Sequence, residues 1–197
     1  MTRRTAIRLM ILALAVLPLT GCSYNKFVSQ EEAIKAQWAQ VQNQLQRRND
    51  LIPNLVETVK GYAEHERETL EAVVTARAKA TQVQTELTPE AMNDPATMQK
   101  FQAAQAELGS ALGRLMVVVE KYPDLKANQG FLDLQAQLEG TENRITVERR
   151  RFNELAQGYN TTIRRFPMSM MAGMFGFDKK GYFEAAEGAE KAPQVKF

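Results

Sequence analysis

Gln46-Arg47-Arg48-Asn49-Asp50-Leu51-Ile52-Pro53-Asn54-Leu55-Val56 is a polar, proline-containing stretch in the middle of a helical pattern. Around it Trp38, Val41, Leu45, Ile52, Leu55, Val59 and Tyr62 recur at steps of three, four and seven. That spacing puts them in one apolar stripe of coiled-coil width. Pro53 opposes the helix, because it lacks a backbone donor and crowds the preceding turn. The apolar phase nevertheless carries across Pro53, which reads as a kink. A full break near Asn49-Asp50 would instead make two helices. The helix count of the whole chain turns on this choice.

Working outward, Ser29-Gln30-Glu31-Glu32 has the form of a capping box, with a hydroxyl at N-cap and Glu at N3. Good helix formers continue to about Glu86, with Gly61 a mild cost. Thr88-Pro89-Glu90 and Asp94-Pro95 are both cap-then-proline starts. The second helix is predicted from Asp94 to about Lys121, with Met98, Phe101, Leu108, Leu112, Leu115 and Val119 as its stripe, and Tyr122-Pro123 ends it. The third is predicted from about Asn128 to Arg165, along Phe131, Leu134, Leu138, Ile145, Phe152, Tyr159, Ile163 and Phe166, with Phe166-Pro167 closing it. Short connections at Leu87–Asn93 and Tyr122–Ala127 favour antiparallel neighbours. No segment shows period-two alternation with turn signals. The expected fold is all-α: an antiparallel bundle over residues 29–166, of three long helices if the first is kinked at Pro53 and four if it is broken there.

Residues 167–197 differ. This irregular tail is rich in Met and Phe, with Met168, Met170, Met171, Met174, Phe175 and Phe177 in a dense cluster. It is expected to pack back and cap the open end of the bundle. The other reading is a surface that meets membrane or a partner, since flexible Met-rich patches suit adaptable contacts.

At the other terminus, Arg3, Arg4 and Arg8 precede an apolar run from Leu9 to Pro18, then Leu19-Thr20-Gly21-Cys22. The run is short for a span, which takes about 20 residues. Residues 1–21 read as a cleaved secretory leader. Leu-Thr-Gly-Cys resembles the bacterial lipobox, which implies an acylated Cys22 as membrane anchor and residues 22–28 as a tether. Ser23 after the Cys, by resemblance to Gram-negative lipoproteins, leans towards the outer membrane and a periplasm-facing domain. Removing the leader takes three Arg and no acid from 25 basic and 23 acidic residues, so the net charge falls from +2 to near −1. That balance supports neither nucleic-acid binding nor a basic surface drawn to anionic lipid.

One Cys and one His exclude an intrachain disulfide, multi-cysteine metal sites and paired-His zinc motifs. His65 lies in Glu64-His65-Glu66-Arg67-Glu68 and reads as a solvated surface side chain. There is no glycine-rich phosphate loop and no Gly-x-Ser-x-Gly elbow. No catalytic residue, metal or cofactor is therefore expected. The distinctive polar residues form two stripes, Arg47, Asp50 and Asn54 on the first helix and Glu142, Arg149, Asn153, Asn160 and Arg164 on the third. Spacings of seven and four put each set on one helix face. The expectation is a register-setting or interaction face, with ion pairs between the stripes. A ligand groove is the alternative.

These stretches also resemble the LemA family. The resemblance is carried by Gln46 to Val56, Val59-Lys60-Gly61-Tyr62-Ala63, Ala76-Arg77-Ala78, Tyr122-Pro123-Asp124-Leu125-Lys126, Leu138-Glu139-Gly140-Thr141-Glu142-Asn143, Arg150-Arg151-Phe152-Asn153, Tyr159-Asn160, Arg165-Phe166-Pro167 and Tyr182-Phe183. It implies an antiparallel helical bundle anchored at its N-terminus to a bacterial membrane, and no agreed activity. The resemblance implies a transmembrane helix in many members where this chain has the lipobox. The expected function is a lipid-anchored envelope protein, non-enzymatic, that contacts unidentified envelope proteins. The alternatives are an enzyme acting on envelope polymers, or a bundle that binds lipid or a small molecule in a cavity lined by Met170, Met174 and Phe177.

Overall fold

The computed structural model describes the backbone of residues 3–88 and 91–184, and side chains of residues 24–184 apart from Glu64, Pro89, Glu90 and Met92. Within them the chain is all-α: α1 Arg3–Lys60, α2 Arg67–Glu86, α3 Pro95–Val119, α4 Pro123–Lys126, α5 Gln129–Arg164 and α6 Met168–Phe175. The side chains of residues 1–21, the expected leader, and of Cys22 lie outside the described side chains. No helix among the described residues is long and apolar enough to cross a membrane.

Two expectations about the first helix are corrected. It is neither broken at Asn49-Asp50 nor continuous to Glu86. Helix α1 runs through Pro53 and stops at Lys60, where Tyr62 and Ala63 amides donate to the Val59 carbonyl at 3.0 and 2.9 Å. The chain reverses there and returns as α2, so the bundle has four main helices. Pro53 survives inside α1 for a specific reason. Its missing N–H leaves the Asn49 carbonyl free, and Arg77 Nε of α2 donates to that oxygen at 2.8 Å. The defect in one helix becomes the attachment point of the next.

The second correction concerns residues 22–28. They are helical rather than an extended tether, Ser29 lies inside α1 rather than capping it, and Phe27 is wholly buried. Helix α3 starts where the Asp94-Pro95 cap predicts, α5 starts one residue after the expected Asn128, and the Thr88-Pro89-Glu90 start falls on residues 89 and 90, outside the described residues. The Asp94 carboxylate accepts from the Thr97 and Ala96 amides at 3.0 and 3.3 Å, and Asn128 Oδ1 accepts from the Phe131 amide at 3.0 Å. The Thr97 hydroxyl and amide hold the Asp94 carboxyl below its ordinary pKa.

Helices α1 and α5 pack antiparallel over most of their described length. Gln30 Nε2 donates to Thr162 Oγ1 at 3.2 Å, and Gln37 Nε2 to Glu148 Oε2 at 2.6 Å. Helices α2 and α3 form a shorter antiparallel pair with Lys79–Glu107 and Lys100–Glu86 ion pairs across it. The apolar interior is in two clusters. One lies towards the corner and joins Ile52, Leu55 and Val59 to Val73, Leu108, Leu115, Phe131 and Leu138. The other lies towards the N-terminal end of α1 and joins Phe27, Trp38 and Leu45 to Phe101, Phe152, Tyr159 and Ile163. There α1 and α5 outrun α2 and α3, and the C-terminal tail fills the space. Ala172 and Phe183 are buried in this second cluster, with Met168, Met171 and Phe177 against it. Phe183 stacks on Trp38 at 5.9 Å, and Trp38 meets Phe101 and Phe152 edge-on. Over its described part the tail thus packs against this end of the bundle.

The Pro53–Asn49–Arg77 contact generates a double-mutant test. Arg77→Ala leaves a half-buried carbonyl without a donor and is expected to cost about 1–3 kcal/mol in urea unfolding. Adding Pro53→Ala restores an in-helix donor to the same oxygen, so the double variant should recover most of that loss. Strict additivity of the two changes would refute the account of the proline.

Candidate functional site

The polar residues concentrate in two places, a layer across the bundle and a strip that holds the tail. The layer lies between the two apolar clusters. Arg48 of α1, only 2% exposed, donates from Nη1 to Glu142 Oε1 of α5 at 2.9 Å and from Nη2 to Gln105 Oε1 of α3. Its neighbour Asn49 is equally buried and faces α2, donating from Nδ2 to Thr81 Oγ1 and Gln84 Oε1, each at 3.3 Å. Two adjacent residues of α1 therefore bond to all three other main helices.

This corrects the expected first stripe by one residue. Arg47, Asp50 and Asn54 are exposed, and Asp50 bonds only locally, accepting from Gln46 at 2.8 Å. Arg164 is also exposed. Glu142 does pair across helices, with Arg48 rather than with the predicted stripe. The missed residues carry a signal in the spacing. Leu45 to Ile52, Phe101 to Leu108 and Leu138 to Ile145 are all seven-residue gaps in apolar stripes. Arg48, Gln105 and Glu142 each stand inside one of those gaps, where a core side chain would otherwise sit.

The other half of the predicted α5 face holds the tail. Asn160 Nδ2 donates to the Lys180 carbonyl at 2.8 Å while its Oδ1 accepts from the Lys180 amide at 2.9 Å. Asn153 makes the same two bonds to Phe183, both at 2.8 Å. Each side-chain amide thus pairs with a peptide group as a neighbouring strand would. From α3, Gln102 Oε1 accepts from the Glu184 amide at 2.9 Å. Lys180 itself is buried, with its ammonium 2.6 Å from Glu31 of α1 and 5.8 Å above the Tyr159 ring.

Arg149 is not the ion-paired residue expected. Its guanidinium lies over the Phe183 ring at 5.1 Å. Burial pulls its pKa down, nearby Arg48 pulls it further, and Glu142 opposes both. Arg149, Asn153, Glu154 and Tyr182 line an open surface groove of about 750 Å³. The alternative of a ligand cavity at the tail gains no support, since Met170 and Met174 are exposed rather than lining a closed space. His65 is exposed, as predicted.

Tyr159 is buried, and its hydroxyl finds no hydrogen-bond partner among the described residues. Burial, then the Glu31 and Asp178 charges, push its pKa up to about 12. A raised folded pKa means stability that is complete below the unfolded value of about 10 and lost as pH rises from there through about 12. Alkaline unfolding followed by circular dichroism should show this loss, and Tyr159→Phe should remove that part of it while leaving stability at neutral pH unharmed. Asn160→Ala is expected to leave the Lys180 peptide groups unpaired at a cost of about 1–3 kcal/mol. Trypsin cleavage after Lys179 and Lys180 should then be roughly ten-fold faster or more, with the bundle helices intact. An unchanged cleavage rate would show that the amide clamp does not hold the tail.

Comparison with known proteins gives a consistent family. The magnetosome protein MamQ of Magnetospirillum gryphiswaldense is 28% identical over 194 residues, covering 88% of this chain and 71% of the relative. Magnetosome protein MamQ 2 of Paramagnetospirillum magneticum is 27% identical, covering 82% of this chain and 64% of the relative. Protein LemA of Metamycoplasma hominis is 23% identical, covering 83% and 69%. The chain spans about two thirds of the length of these relatives. The LemA family model matches residues 37–197, and the chain belongs to the LemA family.

Proposed function

We propose that this protein is a lipid-anchored component of a bacterial envelope that works by contact rather than by catalysis. The observation that carries this reading is where its distinctive polar side chains are used. Arg48, Asn49, Gln105 and Glu142 bond one another or a neighbouring helix, and Asn153 and Asn160 bond the tail. Residues that an enzyme would turn towards a substrate are engaged in holding helices and tail in register. Solvent is left with helix surfaces, open grooves and the exposed apolar residues of α6.

Anchoring rests on Leu19-Thr20-Gly21-Cys22. Two or three acyl chains hold a protein stably where one does not. Ser23 places it by preference at an outer membrane, facing the periplasm, in contact with other envelope proteins through the bundle surface. The MamQ relatives are named for the magnetosome rather than for a reaction, which agrees with a role in contact.

Cys22→Ala is expected to move the protein from the membrane pellet to the soluble fraction. A variant that stays in the pellet would overturn lipid anchoring. Turnover of a substrate by purified protein, abolished by changing one polar side chain, would overturn the non-catalytic reading.

A further inference from the structure

Helix α6 carries no charged residue, and Ser169 is its one polar side chain. Met168, Met171 and Ala172 face the bundle. On the other side Phe166 just before the helix, Met170 and Met174 follow one another at four-residue spacing, 81%, 67% and 74% exposed. Within α6 that spacing puts Met170 and Met174 on one face, and Phe166 adds an exposed ring in the turn before it. A helix with no polar face belongs in a core or against lipid, and contiguous apolar surface marks a binding region.

The position of the stripe narrows its occupant. Phe175 at the end of α6 meets the Tyr24 ring edge-on at 5.2 Å, and Phe177 meets it at 5.7 Å. Tyr24 is two residues beyond Cys22, about 3 Å along the helix axis. The stripe therefore lies at the end of the bundle from which the proposed anchor leaves. Lys26, Arg164, Arg165 and Lys179 are exposed around it, and the acid among residues 164–180 is Asp178. Such a rim attracts anionic headgroups within a Debye length. It also disfavours a second copy, whose identical rim would face it in a two-fold contact.

We propose that the Phe166, Met170 and Met174 stripe of α6 dips into the lipid interface beside acylated Cys22, giving the protein two points of contact with the membrane. This rests on the anchoring reading above. Two contacts fix the direction of the rod. The bundle then stands on the bilayer with its Gly61 corner farthest out, instead of swinging on the acyl chains.

The test uses the full chain with Met170→Trp, reconstituted into vesicles of phosphatidylcholine and a minority of phosphatidylglycerol with brominated acyl chains. A parallel Met174→Trp variant gives a second reporter, and circular dichroism checks that both fold. Trp38, buried in the core, supplies the unquenched background. Emission from the introduced indole is expected to fall at least about two-fold against unbrominated vesicles, and less when phosphatidylglycerol is omitted. Unchanged emission from protein that floats with the vesicles would overturn the proposal. So would emission already shifted to the blue without lipid and indifferent to bromine, which would assign the stripe to a second copy. The anchor is read separately, by flotation of the Cys22→Ala variant. If that variant floats as well as the parent, lipid anchoring falls, and quenching still decides the stripe. If it neither floats nor quenches, acylation alone carries binding and the second contact is refuted.

Discussion

A guanidinium inside a helical bundle costs several kcal/mol unless its donors are met, and Arg48 is such a group. Its partners come from α3 and α5, while adjacent Asn49 finds its own on α2. Both Nη groups are met while Nε finds no partner among the described residues, and these bonds form together only when all four main helices stand at one height. Apolar stripes alone do not impose this, because a bundle can slide by a heptad and still bury Leu and Val. The polar layer between the two clusters turns a family of similar packings into one arrangement. Pro53 adds to it from the backbone side, since the carbonyl it leaves free is met by Arg77 of α2.

Much of this was legible from residue spacing. The stripes of α3 and α5, with the cap at Asp94, place those helices almost to the residue. The first helix was harder, for two reasons. Pro53 looks like the natural break, yet a contact from another helix removes its penalty, and no local pattern contains that contact. Gly61-Tyr62-Ala63 looks unremarkable because Val59 and Ala63 keep helical phase through the turn. Ser29-Gln30-Glu31-Glu32 misled in the opposite way, offering a start where helix simply continues. Local signals cannot report what precedes them in space.

Within the site, the difference between Arg47 and Arg48 is one residue, or about 100° around the helix. Grouping polar residues with other polar residues selects Arg47. Asking which polar residue fills a gap in the apolar stripe selects Arg48. On α5, Glu142 meets Arg48, Arg149 lies over Phe183 and Arg164 is exposed, while Asn153 and Asn160 bind backbone, a partner that sequence does not advertise. Net charge misled as well. A near-neutral chain concealed a local excess of Lys and Arg at the α6 end.

The two asparagines that hold the tail carry a further consequence. They are seven residues apart, about 10.5 Å along α5, and they grip Lys180 and Phe183, three residues apart in an extended segment of about 10 Å. Because they grip peptide groups, this pair of clamps acts as a ruler. The spacing between the two grips admits only one number of residues, while the side chains of Lys180, Tyr182 and Phe183 are held separately, by Glu31, Asn160 and Trp38. Insertion or deletion of a single residue would therefore unhook one clamp and lift Phe183 from the face of Trp38.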